Sequence, residues 1–293
     1  MSFLKSFYHD LLFKRSLSSI KISSYQQNPS DKIKLNKLCC IEDWQNSEIK
    51  KFNQEWLSAE GFFKGQLPIF SSIHRKFWEW AMGLIAMKRF GKFNKNSLAI
   101  GVGAGKELPL FYLANKIAHV YATDLYDASW DENQAPNDFP DNPKKYAPFP
   151  YNDDALTVQR MDGRKLSFPS NFFDIAFSFS SIEHFGGKNH SGSLKSLKEI
   201  ERVLKPEGIA VITTEYIING TNHPEYFNKK TIFSDLIDKL EMKLVEPLDL
   251  SISPRTLDTI IDLNGDGWAK ISPHIVLKAH PVLWTSVMMV FQK

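Results

Sequence analysis

The stretch that decides the fold is residues 97–105, which read Ser-Leu-Ala-Ile-Gly-Val-Gly-Ala-Gly. The apolar run Ser97–Ile100 predicts a buried strand, and a helical pattern over about 106–117 follows the glycines. Glycine has no side chain, so its backbone can approach a ligand closely, and the amides at the helix start can face that ligand. The loop is therefore predicted to bind a ligand through three alternate glycines: Gly101, Gly103 and Gly105.

Downstream of this loop, short apolar runs alternate with helical patterns. The predicted strands are His119–Thr123, Leu156–Arg160, Phe173–Phe179, Ile209–Thr214 and Trp284–Phe291. Met242–Val245 and His274–Leu277 compete as a further strand. Predicted helices cover Ser193–Leu204 and Thr231–Leu240, and the Pro-Glu-Gly sequence within Lys205–Gly208 predicts a turn. This alternation predicts a parallel sheet with helices on both faces.

The first 92 residues are predicted to form a mainly helical extension of a domain that spans 93–293. One helix pattern lies near residues 3–12 and another over about 72–90. The first pattern favours a helix packed on its own domain, although residues 1–20 could also contact a membrane surface. His74 and Arg75, at the start of the second helix, are expected to be solvated.

Two insertions interrupt the pattern, at about 125–154 and 249–273. The first contains five prolines and leaves the carboxyl end of a strand, so it is expected to overhang the ligand crevice. The second contains the turn sequence Asn-Gly-Asp-Gly over 264–267. Both insertions are expected to help form an acceptor site.

Composition excludes several classes of protein. Hydrophobic residues make up 43% and charged residues 24%, which is typical of a folded chain. With 36 basic and 33 acidic residues, the net charge of +3 is too small for a dedicated nucleic-acid binder. No apolar run is long enough to cross a bilayer, no secretory signal is evident, and the two cysteines, Cys39 and Cys40, are adjacent. A cytoplasmic location is expected.

Two common nucleotide loops do not fit this sequence. The dinucleotide fingerprint requires a third glycine where Lys106 stands, and no Gly-Lys-Ser/Thr of a phosphate loop follows. Asp124 ends the second strand, where a carboxylate can accept hydrogen bonds from both hydroxyls of a ribose. Asp162 follows the third strand and can accept from an adenine amino group, or can be an ordinary turn residue.

Several motifs occur in order along the chain: Gly101–Gly105, Asp124, Met161–Gly163, Phe173–Ser178 and Arg202–Gly208. Together they resemble the successive motifs of the class I S-adenosylmethionine (SAM)-dependent methyltransferases over roughly residues 97–216. The resemblance implies a Rossmann-like α/β fold, with a seven-stranded, mostly parallel sheet and an antiparallel final strand. It also implies SAM as the cofactor, held by the following residues: Gly101, Gly103, Gly105, Asp124, Leu125, Asp162, Gly163, Ser180 and Ser181.

The candidate catalytic residues follow the fourth strand. His184 is the predicted general base, because a hydroxyl acceptor needs one, and Glu183 would orient it or bind substrate. His184 could instead pack against or cap the following helix. Some related O-methyltransferases bind magnesium through Glu-x-x-Glu-His, but Ser180 stands at the first carboxylate position, so no metal is predicted. Glu215 and Tyr216 could also reach an acceptor.

The sequence thus predicts methyl transfer to a small-molecule or glycan-type acceptor at a hydroxyl group. No nucleic acid is expected as a partner, and the Asn/Asp-Pro-Pro-Tyr signature of amino-methylating nucleic-acid enzymes is absent. A non-catalytic SAM-binding protein and a nicotinamide-dependent oxidoreductase remain as alternatives. The oligomeric state does not follow from the sequence.

Overall fold

A computed structural model describes residues 32–58, 73–127, 134–267 and 271–293. Ten strands in these residues form one mixed sheet. The strands are β1 (Lys37–Leu38), β2 (Leu98–Val102), β3 (His119–Asp124), β4 (Leu156–Arg160), β5 (Phe173–Phe179), β6 (Leu204–Asn219), β7 (Lys243–Leu244), β8 (Ile260–Asp262), β9 (Val276–Ala279) and β10 (Val282–Gln292).

Helices cover both faces of this sheet, as the alternating sequence pattern predicts. The α-helices are α1 (Ser47–Ser58), α2 (Arg75–Arg89), α3 (Leu108–Lys116), α4 (Pro143–Tyr146), α5 (Ser191–Val203), α6 (Lys229–Thr231) and α7 (Pro254–Leu257). Short 3-10 segments occupy Ile41–Gln45, Asp153–Ala155, Ile182–Phe185, Lys188–His190 and Ile237–Lys239, and a π-helical turn occupies Ile232–Leu236. The helix predicted over Thr231–Leu240 is therefore irregular.

The order of the strands is β4-β3-β2-β5-β6-β10-β9-β8. Strands β4, β3, β2, β5 and β6 are parallel to their neighbours, whereas β10 is antiparallel to β6. Parallel strands need crossover connections, and the helices supply them. The carboxyl ends of β4, β3, β2 and β5 consequently meet at one edge of the sheet, where ligands of such sheets bind.

The predicted fold class is confirmed, while the predicted number of seven strands is too low. The additional pairings gather on β10, which contacts β1, β7 and β9 as well as β6. Of the two candidates for the further strand, Met242–Val245 contains β7, and His274–Leu277 overlaps β9. Strands of two residues carry too little periodicity to be recognised in a sequence, so β1 was not predicted.

The predicted turn, Lys205–Gly208, lies close to the start of β6. The register between β5 and β6 jumps from Phe173↔Leu204 to Ile175↔Ile209, so the residues between loop out of the sheet. Glu207 has a φ of 62°, in the left-handed region. Lys205–Gly208 thus forms a bulge inside β6, where the sequence predicts a turn before the strand, and β6 extends five residues beyond the predicted end at Thr214.

The part of the N-terminal extension that the structure describes is joined to the sheet. β1 pairs with β10, and Trp78 of α2 donates a hydrogen bond from its indole Nε1 to Asp43 Oδ2, at 2.7 Å. Asp43 also forms a buried ion pair with Lys37. The predicted helix near residues 3–12 lies outside the described residues, and the domain boundary at residue 92 stays a prediction.

Among the described residues, no helix is both long enough and apolar enough to cross a membrane.

Candidate functional site

A cavity of about 310 Å³ opens at the carboxyl ends of β2, β3, β4 and β5, which is within the size range of small-ligand pockets. Eight of the nine predicted cofactor residues line it: Gly103, Gly105, Asp124, Leu125, Asp162, Gly163, Ser180 and Ser181. His184, Lys76, Glu107, Gln134 and Arg164 also lie on its wall. The topology thus brings together groups that the sequence spreads from residue 76 to residue 184.

The glycine loop has two kinds of glycine. Gly103 and Gly105 have φ values of 63° and 46°, which residues other than glycine rarely adopt. A Cβ on Gly105 would also lie 2.5 Å from the Gln134 carbonyl oxygen. Gly101 does not line the cavity. A Cβ on Gly101 would lie 2.8 Å from the Phe177 ring, so the lack of a side chain at Gly101 allows β2 and the Phe177 ring to pack closely.

Asp124 fixes the glycine loop from the end of β3. Its Oδ2 accepts a hydrogen bond from the Gly105 amide at 3.0 Å, and its Oδ1 accepts one from the Leu125 amide at 2.7 Å. Burial raises the pKa of Asp124, although these two backbone donors oppose the shift. The carboxylate therefore lies on the cavity wall with both oxygens near backbone amides.

Asp162 is engaged by its neighbour in the chain. Arg164 donates to both carboxylate oxygens, from Nε to Oδ1 at 2.9 Å and from an Nη atom to Oδ2 at 2.8 Å. These hydrogen bonds lower the pKa of Asp162. Arg164 also donates to the Phe185 carbonyl, at 3.2 Å. An adenine amino group would have to share Asp162 with this guanidinium.

Ser180 and Ser181 join the end of β5 to the glycine loop. Ser181 Oγ donates to the Gly103 carbonyl at 2.6 Å. Ser180 has a φ of 50°, and its Oγ donates to Glu79 Oε2 at 3.0 Å. A non-glycine residue in this conformation is strained, and such strain is common at functional sites.

His184 faces a carboxylate that the sequence analysis did not identify. Its Nδ1 lies 3.5 Å from Glu225 Oε2. Backbone hydrogen bonds hold Phe227 beside β6, because Phe227 donates to the Glu215 carbonyl and Ile217 donates to the Phe227 carbonyl. Glu225, two residues earlier, contacts His184 of the cavity wall but does not itself line the cavity. No motif marks Glu225 in the sequence, because its position depends on the fold of residues 220–228.

Glu183 does not line the cavity, unlike its neighbour His184. It is 2% exposed, and its Oε2 accepts a hydrogen bond from Thr214 Oγ1 at 2.9 Å. Its Oε1 has no hydrogen-bond partner among the described residues. Burial, together with the nearby charge of Glu215, raises the pKa of Glu183 to about 8. The structure thus gives Glu225, and not Glu183, the contact with His184.

The pKa of Glu183 implies that stability falls with rising pH. A folded pKa of about 8, above the ordinary value of 4.5, means that the folded state holds a proton that the unfolded state releases. This stabilisation is complete below about pH 4.5 and is lost as the pH rises through 8. We expect Glu183→Gln to lose less stability than the wild type between pH 5 and pH 9 in urea unfolding. The exposed Glu241→Gln should follow the wild type, and identical slopes for all three proteins would contradict the expectation.

The start of α2 is half-buried and its polar side chains have protein partners, contrary to the expectation that His74 and Arg75 are solvated. Arg75 donates to Glu215 Oε1 at 2.5 Å and to Ser286 Oγ at 2.9 Å. The His74 ring stacks on His274 at 4.4 Å, and burial, helped by His274, lowers the pKa of His74 to about 4. These partners come from distant strands and loops, so their contacts were not visible in the sequence.

Glu79, one turn further along α2, is fully buried and receives four donors. The donors are Ser286 Oγ at 2.5 Å, Ser180 Oγ at 3.0 Å, Thr213 Oγ1 at 3.1 Å and Lys76 Nζ at 3.2 Å. Burial alone would raise the pKa of Glu79, but the nearby cations and donors outweigh it and lower the pKa. This carboxylate therefore ties α2 to the ends of β5, β6 and β10.

The insertions differ in their relation to the cavity. Gln134 and Ala135 of the first insertion line it, and the Gln134 carbonyl accepts from the Lys106 amide at 3.0 Å. No described residue of 249–273 lines the cavity. In the second insertion, Thr256 Oγ1 instead accepts from the Ile41 amide at 3.1 Å. In the described part of the chain, no group of three or more His, Cys, Asp or Glu side chains is arranged to hold a metal ion.

Comparison with solved structures finds several proteins to which this chain is similar, of which the first named here supports the same fold. A protein from Galdieria sulphuraria, described as a sarcosine dimethylglycine methyltransferase, has a TM-score of 0.50 at 13% identity over 84% of this chain and 98% of its own. The [4+2]-cyclase SpnF has a TM-score of 0.46 at 16% identity, covering 74% of this chain and 82% of its own. The 1,6-didemethyltoxoflavin-N1-methyltransferase of Burkholderia thailandensis has 0.46 at 13%, covering 90% and 93%. No curated protein matches the sequence.

The mixed sheet and the cavity at its carboxyl edge define a class I methyltransferase-like α/β protein. Residues 98–212 match the family described as Methyltransferase domain, from β2 into β6. This match identifies a SAM-dependent methyltransferase domain within the chain. This match favours the methyltransferase over the nicotinamide-dependent oxidoreductase that the sequence left open.

The cavity is suited to the methyl donor that this family uses. A nucleoside presents ribose hydroxyls, which need an acceptor such as Asp124, and an adenine amino group, which needs one such as Asp162. The sheet order places these two carboxylates on adjacent strands, with the glycine loop next along the edge. The donor set is therefore chemically matched to an adenosyl group.

Proposed function

We propose that the protein transfers a methyl group to a hydroxyl of a small-molecule or glycan-type acceptor, with His184 as the general base. The supporting observation is the contact between His184 and Glu225 at the wall of the cavity, at 3.5 Å. A histidine beside a carboxylate can take a proton from a hydroxyl, because the carboxylate stabilises the imidazolium that forms.

The donor would be held by the residues at the carboxyl edge of the sheet. Asp124 would accept from the ribose hydroxyls, Asp162 and Gly163 would contact the adenine, and Gly103 and Gly105 would allow close approach of the backbone. SAM supplies a methyl group that its positively charged sulfur already activates. The remaining task for the protein is to position an acceptor and remove its proton.

The surroundings of Glu225 favour an acceptor with both hydroxyl groups and apolar faces. Tyr226 lies 5.1 Å from Trp284 and 4.0 Å from His223, measured between ring centroids. Trp284 is 4% exposed and belongs to the core, so Tyr226 and His223 are the rings that keep surface for an acceptor. An aromatic ring beside a carboxylate can bind a sugar, because the ring covers the apolar face while the carboxylate accepts from hydroxyls. Glu183 is proposed to stabilise this region in its protonated form and not to orient His184.

The proposal is tested by finding the methylated product. Cell metabolites and polysaccharide fragments would be compared by mass spectrometry with and without the protein, and the gained methyl group would be located by fragmentation. An O-methyl product would support the proposal. An N-methyl product, or donor binding without any methylated product, would overturn it, and the latter would favour a non-catalytic SAM-binding protein.

The role of Asp124 can be tested without an acceptor. We expect Asp124→Asn to weaken binding of S-adenosylhomocysteine by about 10- to 100-fold, because a charged hydrogen-bond acceptor is lost. Isothermal titration calorimetry measures this directly, and the exposed Asp154→Asn serves as the matched control. Equal affinity of the two variants would remove Asp124 from the binding site.

A further inference from the structure

An ion pair on the cavity wall was not predicted from the sequence. Lys76 Nζ lies 2.7 Å from Glu107 Oε1, and the two side chains are 28% and 13% exposed. Both residues line the same cavity as Asp124 and Asp162. A cation and an anion are thus presented together to a ligand in this cavity.

The pair lies on the far side of the glycine loop from the adenosyl-binding carboxylates. Asp162 follows β4 and Asp124 follows β3, and the next strands along the edge are β2 and β5. Lys76 is held at the end of β5, because its Nζ donates to the Phe179 carbonyl at 2.8 Å. A ligand with its adenine at Asp162 and its ribose at Asp124 therefore extends toward Lys76 and Glu107.

The part of the donor that remains to be bound is an amino acid with an α-ammonium and an α-carboxylate. We propose that Lys76 binds the α-carboxylate of the donor and that Glu107 binds its α-ammonium. In this arrangement the positive Lys76 faces the donor's carboxylate, and the negative Glu107 faces the donor's ammonium. This assignment concerns the donor alone and does not depend on the proposed hydroxyl acceptor.

The state of Glu107 supports this assignment. Burial raises the pKa of Glu107 to about 7, although Lys76 opposes the shift. Its Oε2 is buried without a well-formed hydrogen bond, with the Trp80 indole as a neighbour. Lys76 neutralises the negative charge of Glu107 only in part, because Lys76 also contacts Glu79 at 3.2 Å. The ammonium group of a bound donor would neutralise the rest of the Glu107 charge.

The test uses ligands that differ only in the amino-acid end. S-adenosylhomocysteine carries both groups, its decarboxylated analogue S-adenosyl-3-thiopropylamine lacks the carboxylate, and methylthioadenosine lacks both. We expect Lys76→Met to weaken S-adenosylhomocysteine binding by about 10- to 100-fold, while methylthioadenosine binding is unchanged. Lys76→Arg should restore most of the affinity. The exposed Lys88→Met, on the same helix, is the matched control.

The two roles separate with S-adenosyl-3-thiopropylamine. Lys76→Met should leave its affinity unchanged, whereas Glu107→Gln should weaken it, because the ammonium is still present. Calorimetry gives the affinities, and unchanged methylthioadenosine binding shows that each variant is folded. Equal losses for all three ligands, or no loss for S-adenosylhomocysteine, would overturn the proposal. Failure of the O-methyl product search would leave these affinities unaffected, so the two proposals fail separately.

Discussion

Replacing His184 by glutamine is expected to lower kcat by about 10²- to 10⁴-fold, the usual contribution of a general base. Glutamine fills a similar volume but cannot take up a proton at neutral pH. The affinity for S-adenosylhomocysteine should stay unchanged, because the proposed role of His184 is toward the acceptor. Glu225→Gln should lower kcat less, since it removes the stabilisation of the imidazolium but keeps the base.

The measurement is transfer of a labelled methyl group to the acceptor that the product search identifies, with donor affinity determined in parallel. His119→Gln is the matched control, because His119 lies at the opposite end of β3 and bonds Thr157 at 2.8 Å. Unchanged turnover in the His184 variant would remove this residue from the mechanism. A loss of donor affinity equal to the loss of turnover would instead indicate a disturbed cofactor site.

Lys37→Met is expected to lower the free energy of unfolding by about 3–5 kcal/mol, because it leaves a buried carboxylate without its cation. The side chains of Lys37 and Asp43 are 2% and 0% exposed. Burial opposes a charged lysine, but the charge of Asp43 outweighs it and raises the pKa of Lys37. Neutral donors such as the Trp78 indole at 2.7 Å and the Cys40 amide at 3.3 Å compensate the charge of Asp43 only in part.

Lys34→Met provides the comparison, three residues earlier in the chain. Lys34 pairs with Asp249 at 2.9 Å, but its side chain is 60% exposed, so the loss should be at most about 1 kcal/mol. Urea unfolding of both variants measures the difference. Losses of equal size would show that the buried pair contributes no more than the surface pair, and that β1 is joined to the sheet by other contacts.

The fold was largely accessible from local sequence patterns. The apolar runs that form β2 to β5 have the lengths of buried parallel strands, and Pro109 lies in the first turn of α3, where proline is tolerated. The pairing of β1 and β7 with β10 was missed because two-residue strands depend on a partner from elsewhere in the chain.

The sequence predicted the candidate site only in part. Asp124 could be placed on the cavity because it follows a predicted strand directly. Gly101 does not line the cavity, because it packs against Phe177 of another strand. Glu183 and His184 are adjacent in sequence, but only His184 lines the cavity. A sequence pattern gives the element on which a side chain lies, and packing decides the direction in which it points.

The sequence by itself determined the strand, glycine loop and helix that define the family, because these features arise from periodicity and backbone freedom within a short segment. It also determined that the polar residues after the parallel strands lie along one edge. Only the tertiary structure placed Glu225 beside His184 and joined Lys76 to Glu107. It alone raised the pKa of Glu183 to about 8, because burial and charge depend on residues distant in the chain.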